Sequence, residues 1–211
     1  MSSNKRFNQS RMQVVDRLQR WTPRGFRSDE DLNPEWRDLV SPLPAPKPAA
    51  VLVPLIERVD HLSILLTKRT HALSTHAGQI AFPGGRIDAE DKSPMHAALR
   101  ETHEEVGVAP QQVEVIGELD EYRTGTGYVI TPMVGFLDPA HQLLPNPDEV
   151  ADVFEVPLPY LLNPSNMETH SKEFRGIRRH FYAMPYEGYY IWGATAAMLV
   201  NLRDILHLED D

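Results

Sequence analysis

The chain contains no cysteine among its 211 residues. That absence excludes disulfide bonds, thiolate zinc sites and cysteine nucleophiles. The chain also lacks the run of about 18 apolar residues that a membrane-spanning helix needs, and its first residues lack the apolar core of a secretory signal. We therefore expect a soluble, cytoplasmic protein with no membrane partner.

Positive charge is scarce as well. The sequence has 30 acidic residues against 21 lysines and arginines, which gives a net charge of -9. Such a balance argues against binding of nucleic acid through bulk attraction. The expected partner is a small molecule. An anionic substrate would have to be bound through cations located at the site. The sequence leaves open whether the chain forms a homodimer.

The length suits one domain with additional segments. Residues 1–48 are interpreted as an N-terminal helical arm and a proline-rich linker. An amphipathic helix is expected from about Met12 to Arg20, and five prolines fall between residues 33 and 50. The folded domain is expected to occupy residues 49–211.

Apolar runs and alternating patterns predict short strands interrupted by helices. Strands are predicted at residues 49–57, 62–69, 78–85, 112–122, 128–137, 151–158, 178–186 and 189–193, and helices at residues 94–106 and 194–206. Because strands and helices mix without strict alternation, we expect the α+β class, with a mixed sheet sandwiched between helices.

Both ends of the helix at residues 94–106 are marked in the sequence. Ser93 is a good N-cap, Pro94 suits the first helical position, and Gly107 stands where a left-handed residue commonly ends a helix. At about 100° per residue, one side of this helix is expected to pack through four residues, Met95, Leu99, Thr102 and Val106.

Three glutamates, Glu101, Glu104 and Glu105, gather on another side of this helix. Like charges at this spacing repel by about 0.2–0.5 kcal/mol per pair, and by more in a pocket of low dielectric. A divalent cation would offset the repulsion, and clustered carboxylates are suitable ligands for Mg²⁺ or Mn²⁺. Ala97 and Ala98 are expected to leave room for close approach nearby. The alternative is a solvated acidic face.

The segment around this helix resembles the Nudix box. Gly85, Asp91 and the run Arg100–Val108 follow the pattern G-x5-E-x7-R-E-U-x-E-E-x-G-U, where U is aliphatic. The match departs in three places: Asp91 replaces glutamate, the spacer to Arg100 has eight residues, and Thr102 is not aliphatic. The family's supporting ion pair to Arg100 could then form through one of three loop acids, Asp88, Glu90 or Asp91.

A second, upstream stretch is similar to the signature of the coenzyme A pyrophosphatase branch of that family. It consists of Leu65–Thr70, Leu73, His76–Gln79 and Phe82–Gly85. Members of that branch commonly have the longer spacer and an arrangement similar to the one from Gly84 to Asp91. The resemblance implies the Nudix fold, an α/β/α sandwich.

The same resemblance implies metal-dependent hydrolysis of the diphosphate bond of coenzyme A, free or acylated, to 3',5'-ADP and (acyl-)4'-phosphopantetheine. Mg²⁺ or Mn²⁺ is the implied cofactor, and Glu101, Glu104 and Glu105 are its implied ligands. Glu104 or Glu105 could also contact the attacking water. Arg100 is expected to orient Glu101 or the loop acids through a charge-assisted hydrogen bond.

Five residues are candidate substrate contacts. Lys68 and Arg69 could bind the 3'-phosphate of coenzyme A, or could be ordinary bases at the end of a strand. His76 could bind substrate through a hydrogen bond or brace the glycine loop. Gly84 and Gly85 are expected to permit positive φ and close backbone approach.

Four further residues are candidates for the site, and each could instead have an ordinary structural role. Glu149 could supply another metal ligand or a base, or could be a turn carboxylate. A second phosphate contact could come from three bases, Arg175, Arg178 and Arg179, although such clusters are commonly solvated.

Three other functions fit parts of the sequence. Hydrolysis of ADP-ribose, NADH or another nucleoside diphosphate derivative would use the same motif, and a noncatalytic sensor would keep the fold without the chemistry. Sensors usually lose box carboxylates, whereas all three remain here, which favours an enzyme. A zinc protease is disfavoured, because Gly107 stands where the second histidine of H-E-x-x-H would lie.

Overall fold

The computed structural model describes residues 8–34, 45–71, 77–174 and 176–207. Its α-helices are α1 (Arg11–Arg20), α2 (Pro94–Val106), α3 (Leu158–Leu162) and α4 (Ala194–Leu206). Its strands are β1 (Phe26–Ser28), β2 (Lys47–Glu57), β3 (Leu62–Arg69), β4 (Ile80–Ala81), β5 (Gly84–Arg86), β6 (Val113–Glu118), β7 (Glu121–Arg123), β8 (Tyr128–Leu137), β9 (Val150–Pro157), β10 (Glu168–Phe174), β11 (Ile177–Tyr186) and β12 (Tyr189–Trp192).

The strands form a larger and a smaller sheet. In the larger sheet the order is β1-β7-β8-β2-β3-β4, and β5, β6 and β9 pair with β2, β8 and β3 respectively. β2 runs parallel to β8 and antiparallel to β3 and β5, so the sheet is mixed. The smaller sheet is antiparallel, in the order β10-β11-β12.

Strand β2 separates two apolar cores, since successive side chains of a strand point to opposite faces. Val51, Val53 and Leu55 join the cluster that contains residues of α1 and α4. Ala50 and Leu52 join the cluster that contains residues of α2. Helices therefore cover both faces of the larger sheet, and the predicted α+β class is confirmed.

Helix α2 has the predicted ends but a different buried side. The Ser93 side chain caps the first turn, and Gly107 adopts a left-handed φ of 78°. The expected packing side is wrong at Met95, which is 43% exposed, whereas Ala97 and Ala98 are fully buried. The small alanines allow the helix to lie close to the sheet, so strands fill the space beside Ala97 and Ala98 that was expected to stay open.

The N-terminal segment packs onto the domain. Val14 and Leu18 of α1 are buried in the core on the α4 side. Asn33 is 1% exposed, and its side chain accepts a hydrogen bond from the His180 amide at 2.7 Å and donates one to the His180 carbonyl at 2.9 Å. The domain boundary at residue 49 stays a prediction.

Two predicted strands are each divided into two. The segment at residues 112–122 breaks at Asp120, whose amide donates to the Asn201 side chain of α4 at 3.0 Å. The segment at residues 78–85 breaks at Phe82 and Pro83, so that β4 pairs with β3 while β5 pairs with β2. In the part of the chain described, no helix is both long and apolar enough to cross a bilayer.

Candidate active site

The floor of the site is the glycine loop, residues 82–85, where the chain crosses from β3 to β2. The Pro83 carbonyl accepts a hydrogen bond from the Leu52 amide at 2.9 Å. Gly84 has a φ of 151°, and a Cβ atom there would lie 2.5 Å from the carbonyl oxygen of Ala50. Only glycine fits this position without moving the strand.

The second glycine of the loop brings the backbone against a carboxylate of α2. A Cβ atom on Gly85 would lie 2.4 Å from Cδ and 2.5 Å from both carboxylate oxygens of Glu101. The predicted close approach at Gly85 is therefore made to Glu101, and it needs no positive φ. The carboxylate lies directly above the loop.

Glu105 is a buried carboxylate, with a side chain that is 4% exposed. Its Oε2 accepts a hydrogen bond from the Gly84 amide at 3.3 Å, and its Oε1 lies 3.5 Å from Nη1 of Arg69. Burial raises the pKa of Glu105 to about 8, although the Arg69 charge and the Gly84 amide oppose that rise. The negative charge of an ionised Glu105 is therefore only partly neutralised by Arg69 and the Gly84 amide.

Arg100 connects the loop before α2 with the carboxylates on α2. Its Nε and Nη2 donate to the two oxygens of Asp91 at 3.1 and 2.9 Å. Its Nη1 donates to Glu101 at 2.9 Å and to Glu104 at 3.1 Å. Of the three loop acids, Asp91 makes the bidentate pair, while Asp88 lies 3.6 Å away. These are the contacts expected of a residue that orients Glu101 and the loop.

Asp91 stabilises the loop from a buried position. Its side chain is 1% exposed, it accepts a hydrogen bond from the Asp88 amide at 2.9 Å, and it lies 2.8 Å from Nδ1 of His96. The Arg100 hydrogen bond holds the pKa of Asp91 well below its ordinary value. The contact of His96 was not predicted, since its only signal in the sequence is the place of His96 in the first turn of α2, five residues after Asp91.

The carboxylates of α2 are chemically suitable ligands for a hard cation such as Mg²⁺, but they are not arranged around one point. Burial raises the pKa of Glu101, and the charges of Glu104 and Glu149 add to that rise. Glu149 also raises the pKa of Glu105, so it lies close enough to interact with both. Repulsion of this kind is relieved by a divalent cation, which prefers such oxygen ligands.

No group of three Asp, Glu or His side chains among the described residues is already arranged around one point as a metal site. Glu104 is half exposed and paired with Arg100, whereas Glu105 faces Arg69. The donor set therefore fits Mg²⁺ or Mn²⁺ by its chemistry, and Glu104 would have to exchange its contact with Arg100 to join the ligands.

Lys68 and Arg69, adjacent on β3, point to opposite faces of the sheet. Leu66 and Ile80, which pairs with Lys68, belong to the cluster on the α4 side. Arg69 instead reaches Glu105 of α2 on the other side. The pairing of β3 with β9 shifts register between Lys68 and Arg69, and the two side chains leave the sheet on different faces.

The remaining candidate substrate contacts differ in their surroundings. His76 and Arg175 lie outside the described residues. Arg178 is exposed, whereas Arg179 is paired with Asp29 of the N-terminal segment. The Arg179 pair indicates that this base stabilises the fold.

A comparison with protein families matches the NUDIX domain over residues 46–180. The chain belongs to the Nudix hydrolase family. It is thus an enzyme of the class that cleaves diphosphate bonds in small nucleotide-like substrates, and Nudix enzymes generally use divalent cations such as Mg²⁺ or Mn²⁺. The predicted enzyme and the predicted family are confirmed.

Curated relatives agree with this assignment. The chain is 44% identical over 154 residues to a protein of Photorhabdus laumondii named "Uncharacterized Nudix hydrolase NudL", covering 73% of this chain and 82% of that one. It is 42% identical over 154 residues to the protein of that name in Escherichia coli K12, covering 73% and 80%. A solved Nudix hydrolase of Alicyclobacillus acidocaldarius matches with a TM-score of 0.47 and 17% identity, covering 58% and 83%.

Proposed function

We propose that this Nudix hydrolase cleaves the diphosphate bond of coenzyme A or its acyl derivatives, with 3',5'-ADP and (acyl-)4'-phosphopantetheine as products. The observation that carries the proposal is the position of the upstream stretch that resembles the coenzyme A branch. Arg69 at its start contacts Glu105 of the Nudix box, and Phe82–Gly85 at its end form the loop under Glu101. The two motifs therefore form one site.

In this proposal Glu101 and Glu105 would hold the divalent cation, and Glu104 would join them on exchanging its contact with Arg100. When bound, the cation neutralises nonbridging phosphate oxygens and activates water. Arg100 keeps Glu101 oriented through its hydrogen bond of 2.9 Å. Glu104, half exposed on α2, is the carboxylate best placed to exchange partners and meet the attacking water.

The 3'-phosphate is assigned to Lys68 alone, since Arg69 lies on the other face of the sheet. Lys68, near the end of β3, pairs with Asp152 of β9 on one side and with Ile80 of β4 on the other. A substrate that extends past this strand end from the glycine loop would bring its 3'-phosphate to Lys68. His76, between the two halves of the upstream stretch, stays a predicted substrate contact.

A substrate panel tests the proposal. Coenzyme A, acetyl-coenzyme A, dephospho-coenzyme A, ADP-ribose and NADH would each be incubated with the enzyme and Mg²⁺ or Mn²⁺, and the products resolved by mass. We expect the highest kcat/KM for coenzyme A or its acyl form, with products at the masses of 3',5'-ADP and (acyl-)4'-phosphopantetheine. Equal or faster cleavage of ADP-ribose would favour the alternative, a pyrophosphatase for other nucleoside diphosphate derivatives.

The Lys68→Ala variant tests the assignment of the 3'-phosphate within the same panel. Loss of one charged contact should raise the KM for coenzyme A by about tenfold, the equivalent of ~1.4 kcal/mol. The KM for dephospho-coenzyme A, which lacks that phosphate, should stay unchanged. An equal change for both substrates would remove Lys68 from the site.

A further inference from the structure

The backbone of Arg69 is fixed at the point where three segments of the site meet. Its amide donates to the Gln79 carbonyl at 2.9 Å, and its carbonyl accepts from the Gly78 amide at 3.2 Å. Across the sheet it pairs with Val150 of β9, next to Glu149. Arg69 therefore extends its side chain from a rigid position towards α2.

The guanidinium of Arg69 lies beside the carboxylate of Glu105. Its Nη1 lies 3.5 Å from Oε1 of Glu105, and its side chain is 26% exposed. Its Nε is buried and has no hydrogen-bond acceptor in the part of the chain that the structure describes. Burying an unpaired donor costs about 1–3 kcal/mol, so the contact with Glu105 is the favourable interaction of this guanidinium among the described residues.

The carboxylate of Glu105 is held from two sides. The Gly84 amide donates to Oε2 at 3.3 Å, while Arg69 lies beside Oε1. Together these contacts fix the plane of the carboxylate relative to the glycine loop and to Glu101. A metal ligand whose orientation is set by its neighbours binds with less reorganisation.

We propose that Arg69 is a positioning residue, which holds Glu105 in the orientation needed for metal binding and does not grip a phosphate of the substrate. This inference rests on the proposed metal-dependent hydrolysis but not on the identity of the substrate. It separates Arg69 from Lys68, although the two are adjacent in sequence and carry the same charge.

Kinetics of Arg69→Gln and Arg69→Lys test the inference. In Arg69→Gln we expect kcat to fall by about 10–100-fold, the range found when a group that orients a metal ligand is lost. The fall should be the same for coenzyme A and dephospho-coenzyme A, or for ADP-ribose if that is the better substrate. KM should change by less than about threefold. Arg69→Lys, which keeps the charge near Glu105, should recover part of kcat.

Metal binding supplies a readout that needs no substrate. Calorimetric titration with Mn²⁺ should show weaker binding to Arg69→Gln than to the wild type, and intermediate binding to Arg69→Lys. An enzyme that cleaves none of the substrates would refute the proposed function, whereas Mn²⁺ affinity unchanged in Arg69→Gln would refute this inference.

Arg58→Gln is the matched control. Arg58 forms the same type of pair with Glu155 of β9, near the other end of β3 and outside the site. Its substitution should leave kcat, KM and Mn²⁺ affinity unchanged. If Arg69→Gln does not fold, Arg69→Lys carries the test. A KM for coenzyme A raised more than about tenfold in either Arg69 variant, with dephospho-coenzyme A unaffected, would show that Arg69 binds the 3'-phosphate and overturn the inference.

Discussion

Among single residues, Glu105 shows most directly how the site departs from what stability alone would select. Its carboxylate is buried with one amide and one arginine beside it, and burial raises its pKa to about 8 from an ordinary value of 4.5. Between these values the folded chain binds more protons than the unfolded chain. Its contribution to stability therefore falls as the pH rises from about 4.5 to about 8.

The Glu105→Gln variant should remove this pH dependence in metal-free protein. We expect its free energy of unfolding to equal or exceed that of the wild type at pH 8–9, with a difference that narrows by about 1.4 kcal/mol per pH unit towards acid. Urea unfolding from pH 5 to 9 in the presence of a chelator measures the difference. Glu104→Gln, on the exposed side of the same helix, is the control. A wild type that is the more stable of the two at every pH would contradict the account.

Asp91 has the opposite linkage. Its pKa is depressed, chiefly by the Arg100 hydrogen bond, so its contribution to stability is present above the ordinary aspartate pKa of about 4 and is lost as the pH falls further. Asp91→Asn should lower the free energy of unfolding at pH 7 by about 1–3 kcal/mol, because it leaves Arg100 poorly paired. The gap should close on acidification below pH 4. A gap independent of pH, measured by urea unfolding, would show that the ion pair is not its source.

At the scale of elements, the loop between β4 and β5 has two adjacent glycines with different roles. Gly84 is needed for the fold, and Gly85 is needed for the position of Glu101. A methyl group on Gly84 would meet strand backbone, whereas the nearest atoms to one on Gly85 would be those at the end of the Glu101 side chain. Gly84→Ala should therefore destabilise the fold. Gly85→Ala should leave the melting temperature within a few degrees of the wild type.

The Gly85→Ala variant should lose activity instead. Displacing Glu101 by about 1 Å is enough to lower kcat by about 100-fold. Circular dichroism melts and turnover with Mg²⁺ measure the two effects separately. A Gly85→Ala enzyme with wild-type turnover would mean that Glu101 does not need its place above the loop.

The elements that carry the site could be predicted from sequence because their signals are local. Ser93, Pro94 and Gly107 mark the ends of α2, and the resulting helix brings Glu101 and Glu105 to the glycine loop. The split between β4 and β5 could not be predicted, because one apolar run pairs with two different strands through long-range contacts. Burial of Ala97 and Ala98 depends on how closely the sheet approaches the helix, which periodicity does not report.

At the scale of the whole molecule, the N-terminal segment ties the two sheets together. Asn33 contacts the smaller sheet through the His180 backbone, and Asp29 accepts from the Tyr122 hydroxyl of the larger sheet at 2.7 Å while it also pairs with Arg179. No sequence motif marks these contacts, which join residues about 90–150 positions apart. Strand β10, with the sequence ETHSKEF, has no alternation of apolar and polar residues, so this strand of the smaller sheet was not predicted either.

Asn33→Ala tests this structural role. It leaves the amide and the carbonyl of His180 without their partner, so we expect a loss of about 2 kcal/mol of stability. Turnover at 25 °C should stay near that of the wild type, since the residue does not contact α2 or the glycine loop. Asn8→Ala, an exposed residue with one backbone contact, is the control. Loss of turnover without loss of stability would place Asn33 in the function of the site.

We propose that the carboxylates of α2, above the glycine loop, hold a divalent cation. The most direct measurement is the anomalous scattering of Mn²⁺ in a crystal of the protein. We expect a peak at coordination distance, about 2.1 Å, from oxygens of Glu101 and Glu105, with Glu104 turned away from Arg100. A peak at another site, or no peak at Mn²⁺ concentrations that support full turnover, would contradict it.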